Sequence, residues 1–485
     1  METQYSQAEF HLFQKLGKSI LFNVETLLCY EVTPVVEDLV TRLSTNGRRN
    51  PVQALKRKYP AGDIEEALAY LVREGFIRPG PDQQPRPALR KRRGIRHLEL
   101  MVTHACNLGC RYCYGFDGPE NWKGSPHLYG AGTSGMSLET ACRGVDFLFQ
   151  ASGAQKELSL IFFGGEPLLE IELIENLLPY VRDKEKEQDK KVSLSLSTNG
   201  LLLTEKVVPF LVKNHIGCQV SIDGPKDLQD ANRCLPDGGG SYDLILPGIR
   251  RLIAARNGKV PARVTLAHGS VAMPEILEHL LSLGFDSVHM EPAVGTLPGI
   301  SVTREDLAEI KNQIETLALF LVKSLKNDRY FNFSNLVKYI RQTRVIRERS
   351  AHYCGAGRTY LALSQDGAFY PCHRFVGLDK YRMGDLDAGF DLTLQQKMVD
   401  LTVDDRPVCR ECWARYLCGG GCWKHAVDRN GGLEVPDNDF SCEIIRHEIE
   451  CAMAVNSELK VGDEEILSDL YEKSTEPYLV AELGQ

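Results

Sequence analysis

The sequence predicts an α/β protein built on a partial (β/α)6 barrel of the TIM type, with a winged-helix-like module before it and a cysteine-rich domain after it. Three observations support this prediction. Apolar strands alternate with helices in the middle of the chain, short strands followed by helices fill the first 80 residues, and seven of the 15 cysteines lie between residues 354 and 442. With 485 residues, the chain is long enough for about three domains.

Residues 1–80 have the pattern of a separate unit. Three segments with strand character, FHLF, SILFN and TLLCYEV, precede helical apolar spacing over 34–43, 51–59 and 63–76. Three short strands followed by three helices are typical of a winged-helix-like module. The next segment is rich in Pro, Gln and Arg, so we predict a linker over residues 81–96.

Residues 97–300 alternate between strand and helix patterns, which predicts a parallel sheet with crossover helices. Six such units favour an open barrel over the closed eight-stranded form. The predicted strands cover 97–103, 158–163, 192–197, 218–222, 262–267 and 287–291, and the helices include 137–151, 171–186, 242–257 and 273–283. In sheets of this type the chemistry takes place at the C-terminal ends of the strands.

The last third of the chain changes character twice. Residues 301–350 are charged and helical in pattern, which predicts a connector. Residues 351–450 are rich in cysteine and in loops but poor in apolar periodicity, so bound metal would have to supply part of their stability. Residues 451–485 have the pattern of an acidic, partly helical tail.

Charge and hydropathy exclude several partners. The formal net charge of −8 disfavours nucleic acid, because phosphate binding needs a basic surface. We find no apolar run of the roughly 20 residues that span a bilayer, and the N-terminus lacks the pattern of a secretion signal. The sequence therefore predicts a cytoplasmic protein with neither a membrane nor a nucleic acid as partner.

Three cysteines lie in one loop after the first predicted barrel strand, namely Cys106, Cys110 and Cys113. In a reducing compartment, grouped thiols indicate metal binding rather than disulfides. A 4Fe–4S cluster needs four ligands, so three thiolates leave one iron open to a ligand from outside the protein. The alternative is a structural zinc loop with a distant fourth ligand, for which this spacing is unusual.

The run CNLGCRYC in this loop resembles the signature of the radical S-adenosylmethionine (SAM) superfamily, in which an aromatic residue, here Tyr112, precedes the last cysteine. The resemblance implies that SAM binds the open iron and that Tyr112 lies near its adenine. It extends to further cofactor-binding residues, which are Gly164, Gly165, Glu166 and Pro167 near the methionine amino group, Ser197 and Asn199 near the ribose and substrate, and Arg233 near the carboxylate.

The resemblance also makes Asp223 a candidate catalytic base at the end of the fourth strand. An acidic residue at a strand end can instead bind the substrate or the backbone of a loop. Both interpretations of Asp223 remain open at the level of the sequence.

The cysteine-rich region holds a second and larger group of thiols. Its members are Cys354, Cys372, Cys409, Cys412, Cys418, Cys422 and Cys442. Zinc sites often use Cys-x2-Cys pairs. However, seven thiolates do not divide into two four-thiolate sites, whereas they do fit one complete and one three-thiolate iron–sulfur cluster.

This string of cysteines resembles the SPASM domain of peptide-modifying radical SAM enzymes. The resemblance implies an outer auxiliary cluster on Cys409, Cys412, Cys418 and Cys442, and an inner one on Cys354, Cys372 and Cys422. An open iron on the inner cluster could bind a substrate thiolate. Together with the first cysteine loop, the chain would then carry SAM and three 4Fe–4S clusters.

The N-terminal unit resembles the RiPP recognition element, a winged-helix module that captures a leader peptide as an added strand. A DNA-binding winged helix and a purely structural cap are the alternatives. Among SPASM enzymes, sulfatase-maturing enzymes usually place an aspartate directly after the second inner-cluster cysteine, but here His373 follows Cys372. Enzymes of pyrroloquinoline quinone biosynthesis normally depend on a separate recognition protein.

The fused module and the run PCHRFVG look more like thioether-forming maturases, such as those of SCIFF peptides and of the quinohemoprotein amine dehydrogenase γ subunit. This resemblance implies an oxidoreductase-type enzyme that uses a 5′-deoxyadenosyl radical to install Cys-to-carbon crosslinks, Cys to Asp or Glu among them. Its substrate would be a ribosomally made peptide or small protein subunit with a leader, and its electron donor a flavodoxin or ferredoxin.

Three alternatives stay open. Two are other SPASM reactions, namely carbon–carbon crosslinking and formylglycine formation. The third comes from a different class of protein, a zinc-stabilised winged-helix regulator.

Overall fold

The computed structural model describes residues 5–46, 55–79, 89, 94–115, 135–269, 271–294 and 299–475. Most of the predicted linker over 81–96 lies outside the described residues, and so does the first part of the helix predicted over 51–59. Among the described helices, none is both long and apolar enough to cross a membrane.

The N-terminal unit is a small sheet covered by helices. Its elements are β1 (Tyr5–Gln7), β2 (Phe10–Lys15), β3 (Lys18–Asn23), β4 (Cys29–Glu31), α1 (Pro34–Asn46), α2 (Ala61–Arg73) and β5 (Ile77–Pro79). Strands β2, β3 and β4 form an antiparallel sheet, and β1 pairs with β5. Since side chains alternate along a strand, β3 has two buried faces: Leu21 packs with α1 and α2, while Ile20 and Phe22 join the large core of the chain.

The central unit is an open parallel sheet with helical crossovers. Its strands are β6 (His97–Thr103), β7 (Glu157–Gly164), β8 (Lys191–Thr198), β9 (Ile216–Ser221), β10 (Pro261–Leu266) and β11 (Ser287–Pro292). The helices between them are α3 (Leu138–Ala151), α4 (Ile171–Gln188), α5 (Val207–Lys213), α6 (Lys226–Asn232), α7 (Tyr242–Ala255) and α8 (Met273–Leu283). Each strand pairs in parallel with the next along the chain, which confirms the predicted partial barrel.

Three further strands extend this sheet beyond the six that the sequence predicts. They are β12 (Asn332–Phe333) beside β11, β13 (Tyr360–Leu363) beside β6, and β14 (Phe369–Tyr370) beside β13. Strands β12 and β14 stand at the two ends of the strand order, so the described sheet is open. The cysteine-rich region is thereby joined directly to the first barrel strand.

The rest of the chain is mainly helical. The connector contains α9 (Leu307–Lys326) and α10 (Ser334–Arg341), followed by a π-helical turn over Gln342–Ile346. After β13 and β14 come β15 (Gly384–Asp385), β16 (Gly389–Phe390), α11 (Leu392–Asp400), α12 (Pro407–Arg410), α13 (Arg415–Cys418), α14 (Trp423–Asn430), α15 (Ser441–Asn456) and α16 (Asp463–Thr475). Helix α15 packs on α9 and α10 and spans the domain boundary predicted at residue 450, which stays a prediction.

Candidate active site

The loop with the first three cysteines is fixed by its backbone. It leaves β6 at Thr103, and it hydrogen bonds to the chain that follows α6: Gly109 N donates to Cys234 O at 2.8 Å, and Arg111 N donates to Asn232 O at 2.9 Å. Cys113 N also donates to Cys110 O at 3.1 Å, which closes a tight turn. The sequence thus folds this loop against the C-terminal ends of the strands.

The three thiols of this loop are half-buried and lie close enough for their charges to affect one another. The pKa of Cys106 is raised to about 12, first by burial and then by charge on Glu166 and Cys113. Burial also raises the pKa of Cys110, on which Cys113 and Cys106 act as neighbouring negative charges. Such thiols are protonated at neutral pH when unbound, so metal binding has to displace their protons. All 15 cysteines are free thiols, as a cluster-binding protein requires.

The end of β7 lies directly on this loop because two glycines allow it. A Cβ atom on Gly164 would lie 1.9 Å from Thr103 O, and one on Gly165 would lie 2.1 Å from Ala105 O. Instead, Gly165 N donates to Thr103 O at 3.0 Å, and Glu166 N donates to Ala105 O at 2.9 Å. The adjoining Pro167 is buried and begins a 3-10 turn.

Glu166 is buried among hydrogen-bond donors from neighbouring strand ends. Its carboxylate accepts hydrogen bonds from Thr198 Oγ1 at 2.8 Å, Asn199 N at 2.7 Å and Leu168 N at 3.1 Å. Burial raises the pKa of Glu166 to about 7 even though these hydrogen bonds act to lower it. Asn199 Nδ2 in turn lies 3.8 Å from Cys106 Sγ, and Ser197 is half-buried two residues earlier on β8.

Asp223 is engaged on both of its oxygens. Oδ1 accepts hydrogen bonds from Arg233 Nε at 2.9 Å and Thr265 N at 3.0 Å, and Oδ2 accepts one from the Tyr112 hydroxyl. The Arg233 guanidinium lies 5.3 Å from the centroid of the Tyr112 ring. These contacts orient Tyr112 and Arg233 at the mouth of the barrel, and the role of Asp223 as a base stays a prediction.

The inner set of cysteines lies against the first barrel strand. Burial raises the pKa of Cys372, and charge on Cys422 and Cys354 raises it further, so the three thiols are neighbours. The next residue, His373, is held by Glu99 of β6, which accepts from its backbone N at 3.1 Å and lies 2.9 Å from its Nδ1.

Tyr114, which directly follows Cys113, links the first cysteine loop to the inner set. Its ring centroid lies 5.8 Å from that of His373, and the Arg374 guanidinium lies 5.3 Å from it. Arg374 Nη1 donates to Cys422 Sγ at 3.6 Å and lies 2.7 Å from His425 Nε2. The first loop and the inner set therefore face each other across one space.

The outer set of cysteines is a second neighbourhood of thiols. The pKa of Cys418 is raised to about 12, first by burial and then by charge on Cys412 and Cys409. Cys442 is half-buried, and its pKa is raised first by desolvation and then by charge on Cys418, Cys409 and Cys412. These electrostatic neighbourhoods are compatible with the two groups that the resemblance implies, and the assignment of the seven cysteines to two clusters stays a prediction.

A single metal ion needs its ligands at about 2.0–2.3 Å if it is zinc. In the described parts of the chain, no group of three or more His, Cys, Asp or Glu side chains is arranged around such a point. Three or four cysteine thiolates are the ligands that 4Fe–4S clusters use, and the predicted cysteine sets offer thiols of this kind.

Two carboxylates of this region, the buried Glu99 and the half-buried Glu291, were missed from the sequence. Glu99 lies in β6, where it holds His373, and Glu291 lies at the end of β11. Burial acts to raise the pKa of Glu291, but a hydrogen bond with His289 and the charge on Arg263 hold it below its usual range. Each is an acidic residue within a predicted strand that is otherwise mainly apolar. An acidic residue in such a strand was the signal in the sequence that could have marked these two positions.

Comparison with known proteins agrees with this geometry. Residues 100–279 match the family described as the Radical SAM superfamily. The cysteine-type anaerobic sulfatase-maturating enzyme of Clostridium novyi is 23% identical over 346 residues, which cover 68% of this chain and 88% of that enzyme.

Two solved structures share the fold. Native anSMEcpe with bound SAM superposes with a TM-score of 0.63 at 19% identity, over 77% of this chain and 99% of that one. Streptococcus suis SuiB bound to SAM gives a TM-score of 0.51 at 16% identity, over 90% of this chain and 99% of that one. SuiB has also been solved with its precursor peptide SuiA, with a TM-score of 0.50. The cysteine loop, the strand-end residues and this match together make residues 100–279 similar to the Radical SAM superfamily.

Proposed function

We propose that this chain is a radical SAM maturase that installs Cys-to-carbon thioether crosslinks in a ribosomally made peptide or small protein subunit. The observation that supports it most is the contact of Tyr114 with both His373 and Arg374. This contact brings the first cysteine loop and the inner set to the same space. A substrate carbon activated at one side can therefore meet a thiol held at the other.

The residues of the first site have different roles in binding SAM. Cys106, Cys110 and Cys113 supply three thiolates and leave one iron position for the cofactor. Asp223 holds Arg233 and Tyr112 in place at the barrel mouth. When bound, SAM and its cluster supply a 5′-deoxyadenosyl radical that removes a hydrogen atom from an unactivated substrate carbon.

The inner set is the proposed binding site for the sulfur of the substrate cysteine. By resemblance it consists of Cys354, Cys372 and Cys422, and a cluster held by these three thiolates would have one position for a substrate thiolate. Glu99 fixes the chain after Cys372 through His373. Formation of the S–C bond removes one hydrogen atom from carbon and one proton from the thiol. Auxiliary clusters bound to the two cysteine sets would supply a path for the remaining electron to an external flavodoxin or ferredoxin.

The N-terminal module is the proposed site of leader capture. Strand β4 ends the order β2–β3–β4 and offers an edge to which an extended peptide can add a strand. Tyr30 of β4 packs on Tyr70 and Phe76, so this edge lies beside α2. Helix α2 also carries a shallow groove of about 440 Å³ lined by Glu65, Leu68, Ala69, Val72 and Arg73.

Co-expression of the chain with a leader-bearing, Cys-containing peptide tests this proposal. We expect mass spectrometry to show a loss of about two hydrogens per crosslink with the sulfur retained, and fragmentation to locate the bond at a cysteine. The same peptide without its leader is the matched control and should stay unmodified. A full-length product without crosslinks would contradict the proposal.

Formylglycine formation is the second candidate, favoured by the similarity to the Clostridium novyi enzyme. The presence of His373 where such enzymes usually place an aspartate speaks against it. The same experiment separates the two reactions, because formylglycine has lost the cysteine sulfur and reacts as an aldehyde.

A further inference from the structure

Arg406 is a buried cation that forms no ion pair with a carboxylate in the described parts of the chain. Arg406 is only 1% exposed. Its guanidinium meets no Asp or Glu side chain at ion-pair distance among the residues that the structure describes. Nη1 donates to Gly420 O at 2.6 Å, Nε donates to Glu434 O at 3.3 Å, and the guanidinium lies 4.7 Å from the Trp423 ring centroid. Nη2 is buried with no hydrogen-bond partner.

A buried guanidinium without an anion is costly, because its charge loses water and gains only neutral acceptors. Arginine keeps its proton in proteins, so Arg406 cannot escape this cost by becoming neutral. Its negative neighbours are the cysteines of the outer set and, with a smaller effect, Glu434, whose carboxylate forms an ion pair with Lys397 instead. Burial lowers the pKa of Arg406, and charge on Cys409, Cys418 and Cys442 acts in the opposite direction.

The backbone is shaped so that this cation can approach. Gly419, Gly420 and Gly421 all have positive φ, and they separate Cys418 from Cys422. A Cβ atom on Gly420 would lie 2.6 Å from Arg406 Nη1, so a side chain there would displace the guanidinium.

This glycine loop joins the two sets of thiols. Cys418 belongs to the outer set and Cys422 to the inner one, and four residues of chain span at most about 14 Å. Arg406 donates to the middle of this loop. Its charge therefore lies at the junction of the two auxiliary sites.

We propose that Arg406 is the buried counter-charge of the outer auxiliary cluster and raises the reduction potential of that cluster above the value it would have beside a neutral residue. This rests on the part of the proposed function that places 4Fe–4S clusters on the two cysteine sets, and it is independent of the thioether product. Nearby net charge and hydrogen bonding are among the factors that set the potential of such clusters.

Reduction adds one electron to the outer cluster while Arg406 keeps its proton, so no proton moves. In turnover the electron comes from the substrate carbon radical by way of the inner cluster, and it leaves to an external one-electron carrier protein. A cation that stabilises the reduced outer cluster directs this transfer outward, away from the substrate.

A redox titration followed by electron paramagnetic resonance tests this role. The full-length chain is reconstituted with Cys106, Cys110 and Cys113 changed to Ala, so that only the auxiliary clusters give signals, and Cys354→Ala in the same background assigns the inner midpoint. Arg406→Gln and Arg406→Met should shift the outer midpoint to lower potential, whereas Arg406→Lys, which keeps the charge, should leave it nearly unchanged. Iron content is measured first, so a failure of the cluster assignment is recognised before any titration.

Arg410→Gln is the matched control, because it removes the same charge one residue from Cys409 at an exposed position where water and salt screen it. Its outer midpoint should stay close to that of the parent protein. The proposal would be overturned if the outer midpoint potential stayed unchanged in both Arg406→Gln and Arg406→Met. It would also be overturned if Arg406→Lys lowered that potential as much as the two neutral variants do. If the neutral variants fail to load iron, loading by Arg406→Lys supports the counter-charge, and failure of all three variants contradicts it.

Discussion

At the scale of single residues, Glu166 connects the C-terminal ends of β6, β7 and β8 by hydrogen bonds. Its carboxylate binds Thr198 and the backbone of Asn199 at the end of β8, and its own N–H binds Ala105 in the loop after β6. This network places the end of β7 against the cysteine loop. It also leaves an acid buried where ionisation costs free energy.

The raised pKa of Glu166 predicts a pH-dependent stability of the cluster-free protein. The folded chain holds this proton up to about pH 7, while the unfolded chain loses it near 4.5, so stability should fall as pH rises between these values. Glu166→Gln should remove up to about 3 kcal/mol of this pH dependence. Urea midpoints at several pH values measure it, with the exposed Glu278→Gln as control. A pH dependence that persists in Glu166→Gln would contradict this assignment.

Gly164 allows the same contact between the end of β7 and the cysteine loop because it has no side chain. In Gly164→Ala the new methyl group would meet Thr103 O, and the backbone would hold a φ of 143° that an L side chain rarely adopts. We expect a loss of about 1–3 kcal/mol and a weaker binding of SAM to the reconstituted protein. Thermal unfolding and equilibrium dialysis measure the two effects. Gly62→Ala is the control, since a Cβ there meets nothing within 4 Å, and equal behaviour of the two variants would refute the steric argument.

At the scale of elements, the N-terminal sheet is docked onto the segment that carries the outer cysteines. His11 of β2 stacks on Trp413 with ring centroids 3.9 Å apart, and Glu9 binds Arg415 through both carboxylate oxygens. Trp413 directly follows Cys412. The module that we propose for leader capture therefore touches the outer site instead of standing apart on a linker.

Removal of the Glu9 charge should loosen this docking. Arg415 is fully buried, and Asp404 at 3.5 Å would remain as its second partner, so Glu9→Gln should cost on the order of 2 kcal/mol. Hydrogen exchange should rise over β2 and β3 while the barrel strands stay protected. Glu31→Gln removes an exposed partner of Lys18 and should have little effect. Unchanged exchange in Glu9→Gln would show that other contacts hold the module.

At the scale of the whole molecule, the periodicity of the sequence was enough to predict the barrel. All six predicted strands and the four predicted helices between them are present, because each carries a complete apolar pattern of its own. The additional strands β12, β13 and β14 have two to four residues and gain their stability only from pairing with distant strands. A local pattern does not contain that information.

The same distinction applies to the candidate site. The cysteines were visible because their spacing is a local signal, whereas the contact between Tyr114 and His373 joins residues that are far apart in the chain. The partners of Asp223 were hidden for the same reason: Tyr112 and Thr265 reach it only through the fold. The division of the C-terminal thiols was available only through resemblance.

The most direct test of the central claim is the formation of 5′-deoxyadenosine by the reconstituted protein. An anaerobic preparation with about twelve irons should convert SAM to this product when reduced, because one iron of the first cluster is open to the cofactor. The variant with Cys106, Cys110 and Cys113 changed to Ala should form none, while the control Cys218→Ala, which alters a buried cysteine outside all three sets, should form as much as the parent. Formation of 5′-deoxyadenosine by the triple variant, or none by the iron-loaded parent, would contradict the account.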